Sequence, residues 1–193
     1  TLERVIKLEL ACELSAPLPS DSITAVCDLA SNCVYLEPDG STAPSRPFND
    51  RFESPIVIAT VPYMNTQDTT GATTPTDDPA FSCVSGQGQG SVWYKYEADA
   101  PGTLSIDTFG SDYDTVLAVW TGSRGSLQDV GCNNNAQSVS QSQVDVTVEA
   151  GGVYYIEIAA GGASPSGELK LTVDFNGEDP VNYIYLPLVV SGN

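Results

Sequence analysis

Histidine is absent from this 193-residue chain, and basic residues are scarce: seven Lys and Arg stand against 25 Asp and Glu. The missing imidazole excludes Ser-His-Asp and Cys-His catalysis, His-ligated zinc, and the side chain best suited to moving protons near neutral pH. Carboxylates alone can still run a hydrolase, so an enzyme is disfavoured on this ground but not excluded. The formal net charge of −18 repels phosphate backbones and anionic lipid surfaces, which argues against nucleic acid and membrane as partners. No apolar run is long enough for a membrane span. No signal peptide is visible, and Thr1 reads as a mature end after processing.

Cysteines are few and none form a CxxC pair, so a redox or zinc motif is unsupported. The five are Cys12, Cys27, Cys33, Cys83 and Cys132. In an acidic chain rich in Thr, Ser and Gly they read as disulfides of a secreted, extracellular or cell-surface protein, and the odd count leaves one over. Cys27 and Cys33 pin the segment around them, to each other or elsewhere. Cys83 precedes one strand candidate and Cys132 follows another, at positions that neighbour each other in a sandwich, so a bond between them is expected.

What is present is mostly β signal. Leu2, Ile6, Leu8, Leu10, Cys12 and Leu14 occupy even positions, with Glu3, Lys7, Glu9 and Glu13 on odd ones. That period of two predicts one long strand with a buried face over residues 1–14. Residues 15–47, punctuated by five prolines, read as irregular, with a short helix over 21–30. Strands are predicted over 91–97, 103–108, 115–121, 143–149, 153–159 and 168–175. TVLAVW, apolar throughout, reads as a central strand covered on both faces. Short strands at this spacing predict an all-β, antiparallel sandwich. After a polar break, residues 176–193 carry a final apolar strand whose Pro187 confines it to an edge.

Residues 48–175 resemble the bacterial pre-peptidase C-terminal (PPC) domain. The resemblance rests on FNDRFESPIVI (48–58), SVWYKYEADAPGTLSIDT (91–108), SDYDTVLAVWTGSRGSLQDVGCNN (111–134), VYYIEIA (153–159) and GELKLTV (167–173). It implies a jelly-roll-like β-sandwich that accompanies secreted enzymes and surface proteins, usually without catalysis of its own. It also implies that calcium or an extracellular polymer is a plausible ligand. Relatives often carry Asn-Asp-Asp after the cysteine. Here stand Asn133, Asn134 and Asn135, which weakens a calcium site at that turn.

The oxygen-rich candidates are Asp107, Asp112 and Asp114 around one turn, and Asn49 and Asp50 with Asp77 and Asp78. Asn49, Asp50, Asp112 and Asp114 are the residues that would take calcium, the one cofactor an excess of carboxylate suggests. Turn chemistry, in which Asp side chains bond nearby backbone N–H groups, is the stronger reading of the Asp107 cluster, and a glycosidase-like pair the weakest. No EF-hand spacing occurs. Trp93, Trp120, Tyr94, Tyr96, Tyr113, Tyr154 and Tyr155 would suit a sugar-stacking platform, but their place within strands favours core packing.

The terminal strand suggests the function. A strand of 14 residues extends about 45 Å, longer than most strands within one sandwich. Through Leu2, Ile6, Leu8, Leu10 and Cys12 it can join the sheet edge of another copy, and a head-to-tail contact of that kind generates filaments. Cys12 would then be placed to lock the junction. The expected function is a non-catalytic structural subunit of an extracellular filament or surface layer. The alternatives are a secreted module that binds a polysaccharide, protein fibre or partner enzyme, and terminal strands that merely extend their own domain.

Overall fold

The computed structural model describes residues 24–27, 33–36, 46–161 and 166–177, and no helix occurs among them. Thr24–Cys27 (β1) and Cys33–Leu36 (β2) pair as an antiparallel hairpin. The helix expected over 21–30 is therefore replaced by a strand, and the stretch 15–47 is less irregular than its prolines imply. Thr24, Val26, Val34 and Tyr35 favour the extended backbone, and a partner strand supplies the hydrogen bonds a helix would have made internally. Cys27 and Cys33 are register partners at the turn end of this hairpin. The expected strands over 1–14 and 181–193 lie outside the described residues.

Nine further strands form a β-sandwich: Ile56–Ile58 (β3), Tyr63–Asp68 (β4), Gln89–Glu97 (β5), Gly102–Asp107 (β6), Thr115–Thr121 (β7), Gln128–Asn133 (β8), Gln143–Val148 (β9), Val153–Ala160 (β10) and Glu168–Gly177 (β11). One sheet has the order β3-β5-β10-β7-β8 and the other β4-β11-β6-β9. All six strands expected between residues 91 and 175 are present. Strands β3, β4 and β8 were not expected, because β3 is three residues long and β4 and β8 are largely polar. The pairing is antiparallel with one departure: β3 runs parallel to β5.

Alternation within each strand builds the core. Val92, Tyr94 and Tyr96 of β5, Leu117 and Val119 of β7, and Tyr154, Ile156 and Ile158 of β10 meet Leu104, Ile106, Val144, Val146, Val148, Leu169, Leu171 and Val173 of the facing sheet. Each fully buried aliphatic side chain of this set contributes roughly 1.5–3 kcal/mol. The four-stranded sheet turns a polar face outward. There Asp174, Ser105 and Asp145 lie in one row across β11, β6 and β9.

The five-stranded sheet is covered on its outer face as well. Trp93, Val116, Ala118, Trp120 and Ala159 form a second apolar layer with Phe52 and Phe81, which are supplied by the loops 46–55 and 69–88. This explains why β7 is apolar on both faces. Cys83 of the second loop is bonded to Cys132 of β8, as expected.

The two long sides of the sandwich differ. At one, β8 lies against β9: a Cβ on Gly131 would sit 2.7 Å from Val144 and 2.8 Å from Val146, so only glycine permits the approach. At the other, between β3 and β4, Ile56, Val61 and Tyr63 are only partly buried.

Candidate functional site

The densest set of charged side chains lies under the covering loops. Glu157 belongs to the outward row of β10 and would face solvent if the sheet were bare. The loops enclose it, leaving it 0% exposed. Its Oε2 accepts a hydrogen bond from Trp120 Nε1 at 2.9 Å. Its Oε1 and the indole N–H of Trp93, its register partner on β5, are both buried without a partner. Burial pushes the Glu157 carboxyl well above the usual carboxylate range, the Asp78 carboxylate adds to the rise, and the Trp120 bond opposes it.

Asp78, on the loop 69–88, is the neighbouring buried acid. Its Oδ2 accepts from Ser91 Oγ at 2.5 Å and its Oδ1 from Arg124 Nη1 at 2.8 Å. Burial raises its carboxyl, against the pull of Ser91 and Arg124. Arg124 stands on the turn between β7 and β8. It also grips Asp77 with both arms, Nη2 at 2.8 Å and Nε at 3.1 Å, which holds that exposed carboxyl below its usual range. Its guanidinium carbon lies 5.4 Å from the ring centre of Phe52. One arginine therefore joins the turn to both covering loops through bidentate ion pairing and a cation–π contact.

The expected site residues take separate places. Asn49 pairs with the backbone of Trp93 twice: its Nδ2 donates to Trp93 O at 3.0 Å and its own carbonyl accepts from Trp93 N at 2.8 Å. Asp50 accepts from Thr73 N and, at 2.8 Å, from Thr73 Oγ1, tying the two covering loops together. Asp112 Oδ1 accepts from the backbone N–H of Glu168 at 2.8 Å. Asp107 Oδ1 accepts from Phe109 N at 3.0 Å, the turn chemistry expected of this cluster. Asp114 differs: its Oδ1 is buried without a partner, as is Asn134 Oδ1. Both oxygens point at the same place beside Gly161, within 3.0 Å of where a Cβ would stand. Among the described residues no three Asp, Glu or Cys side chains gather as a metal-holding group, so Asp50, Asp112 and Asp114 are not brought together.

The aromatic candidates are core residues. Trp93, Trp120, Tyr94, Tyr96, Tyr113 and Tyr154 are buried, and Tyr155 is half-buried against Phe52. They offer no exposed stacking surface. Leu2, Ile6, Leu8, Leu10 and Cys12 lie outside the described residues. The buried cluster of Glu157, Asp78 and Arg124 was not anticipated: alternation assigns Glu157 to solvent, and Arg124 gives no local signal.

What this arrangement does is fasten loops to a sheet. Two proton-binding carboxyls stand near an arginine, but Glu157 has no path to a substrate while the loops are in place. Among the described residues the sheet edges and the acidic face of the four-stranded sheet are exposed. No protein-family model matches the chain, and no curated protein matches it.

Proposed function

We propose that this chain is a non-catalytic structural subunit of an extracellular filament or surface layer, polymerising by strand addition through residues 1–14. The observation that carries this reading is the unpaired strand at the end of each sheet. Among the described residues β4 pairs with β11 only and β3 with β5 only, on the side of the sandwich that is not sealed. An unpaired edge presents backbone N–H and C=O groups that another strand can complete. The sequence supplies such a strand in the period-two segment 1–14. A secreted setting agrees with the Cys83–Cys132 bond, because disulfides persist in oxidising compartments. The PPC-like resemblance of residues 48–175 supports a role without catalysis. Calcium in this reading screens repulsion between acidic subunits.

Electron microscopy of the intact chain beside a variant lacking residues 1–14 tests the proposal. Filaments or sheets from the first and dispersed particles from the second are expected. Dispersed particles from both would sink it.

A second reading is a secreted binding module. The row Asp174, Ser105, Asp145 on the open face of the four-stranded sheet favours it, since such a face suits a basic protein fibre or partner enzyme. Co-sedimentation of dispersed particles with a basic fibre, lost at high salt, distinguishes this role.

A further inference from the structure

A sheet edge that must stay single is normally guarded by shortness, a bulge, an inward charge, a lysine or a covering loop. The four edges of this sandwich are guarded unequally. Strand β3 has three residues. Strand β8 carries a register irregularity where Val119 gives way to Trp120, is fastened to a covering loop through Cys132, and leans on β9. That same approach shields the edge of β9, which also places Asp145 in mid-strand. Among the described residues strand β4 has none of these devices. Its six residues pair with β11 in unbroken register, it contains no lysine or proline, and its one charge, Asp68, stands at the end.

The flank of β4 is also the apolar one. Tyr63 and Val61 are partly buried next to Ile56 at the margin of the core. Beyond them Val57 is 64% and Met64 79% exposed. A strand added here would continue the inward row of Tyr63, Asn65 and Gln67, and its inward side chains would cover Ile56 and Val61. It must therefore be apolar on one face and polar on the other. Residues 6–14 have that pattern, with Ile6, Leu8, Leu10, Cys12 and Leu14 on one face and Lys7, Glu9 and Glu13 on the other.

We infer that the edge of β4, Tyr63–Asp68, unpaired among the described residues, is the acceptor for residues 6–14 of a second copy, with Ile6, Leu8 and Leu10 turned toward Ile56, Val61 and Tyr63. This rests on the strand-addition reading above and specifies its receiving surface.

Lysine on the outward row tests the inference. Met64→Lys with Thr66→Lys guards the edge of β4, while Thr147→Lys adds charge to the outward row of β9. Polymer is read by sedimentation and electron microscopy, and folding by the thermal midpoint. The β4 variant should keep its midpoint and lose at least tenfold of its sedimenting polymer, with Thr147→Lys unchanged. Should the pair of lysines lower the midpoint, Met64→Lys alone, at a side chain that packs little, is the variant to read. Normal polymer from the β4 variants, with none from the chain lacking residues 1–14, overturns β4 as acceptor and leaves strand addition standing. Equal loss in Thr147→Lys also overturns it, since charge alone then explains the effect. No polymer from the intact chain removes both proposals.

Discussion

Trp120 donates its indole N–H to Glu157 at 2.9 Å in a layer where neither residue meets solvent. A carboxyl in that position is held neutral more readily than one in water, and the second apolar layer of the sandwich depends on its state.

Glu157 keeps its proton in the folded chain to a higher pH than in the unfolded one, whose ordinary value is 4.5. Its folded-state affinity is raised, so the associated stability is intact below that value and is lost as pH rises toward the folded-state titration. Glu157→Gln keeps the shape and removes the titration. Thermal unfolding should show the variant above the parent at about pH 8, with the gain gone at about pH 4. An equal difference at both would rule out the carboxyl as its source.

Arg124 compensates a carboxylate whose side chain is 0% exposed. Arg124→Ala leaves Asp78 buried and unpaired, and should cost about 3–5 kcal/mol in urea unfolding. Arg124→Lys cannot reproduce the two-armed grip on Asp77 and should recover only part of this. Adding Asp78→Asn to Arg124→Ala should return some of the loss, because the stranded charge is then gone.

The Cys83–Cys132 bond spans 49 positions in sequence. Replacing both cysteines by alanine frees the unfolded chain and should cost about 2–4 kcal/mol. The loop 69–88 should also become the first site of proteolysis, since Asp50, Ser91 and Arg124 would then hold it without a covalent tie. A stability equal to the parent's would place its anchorage entirely in those contacts.

Asp114 and Asn134 aim two acceptor oxygens at one point. Asp114→Asn supplies a donor there and should stabilise the metal-free protein by about 0.5–1.5 kcal/mol. Denaturant unfolding in the presence of a chelator measures this. Destabilisation instead would mean that the carboxylate already has a partner the amide cannot replace.

Strands with one fully covered apolar row could be read from local pattern. Val144, Val146 and Val148 alternate with Asp145 and Thr147, and Leu169, Leu171 and Val173 do the same. Such rows need only one buried face, and period two records it directly. Strands β3, β4 and β8 lack this record. Strand β8, Gln128–Asn133, is polar along most of its length because little of it is covered. Prolines and acids around Thr24–Cys27 concealed a hairpin whose stability depends on its partner strand rather than on its own composition.

The site was less readable than the fold. Asp107 behaves as its turn sequence indicates, because its partner Phe109 is two residues away. Asp50 and Thr73 are 23 positions apart, and Arg124 and Asp78 46 apart, so no local spacing announces either contact.

Composition and periodicity by themselves determined the absence of histidine chemistry, the acidic surface, the sandwich class and the inward rows of its central strands, since each follows from residue type or from side chains within one strand. Only the tertiary structure decided that Glu157 is buried, that Asp78 meets Arg124, and that one side of the sandwich is sealed at Gly131 while, among the described residues, β4 has a partner on one side only. Those outcomes depend on which distant segments cover a strand, and a strand's own alternation shows its two faces without saying what lies over the second.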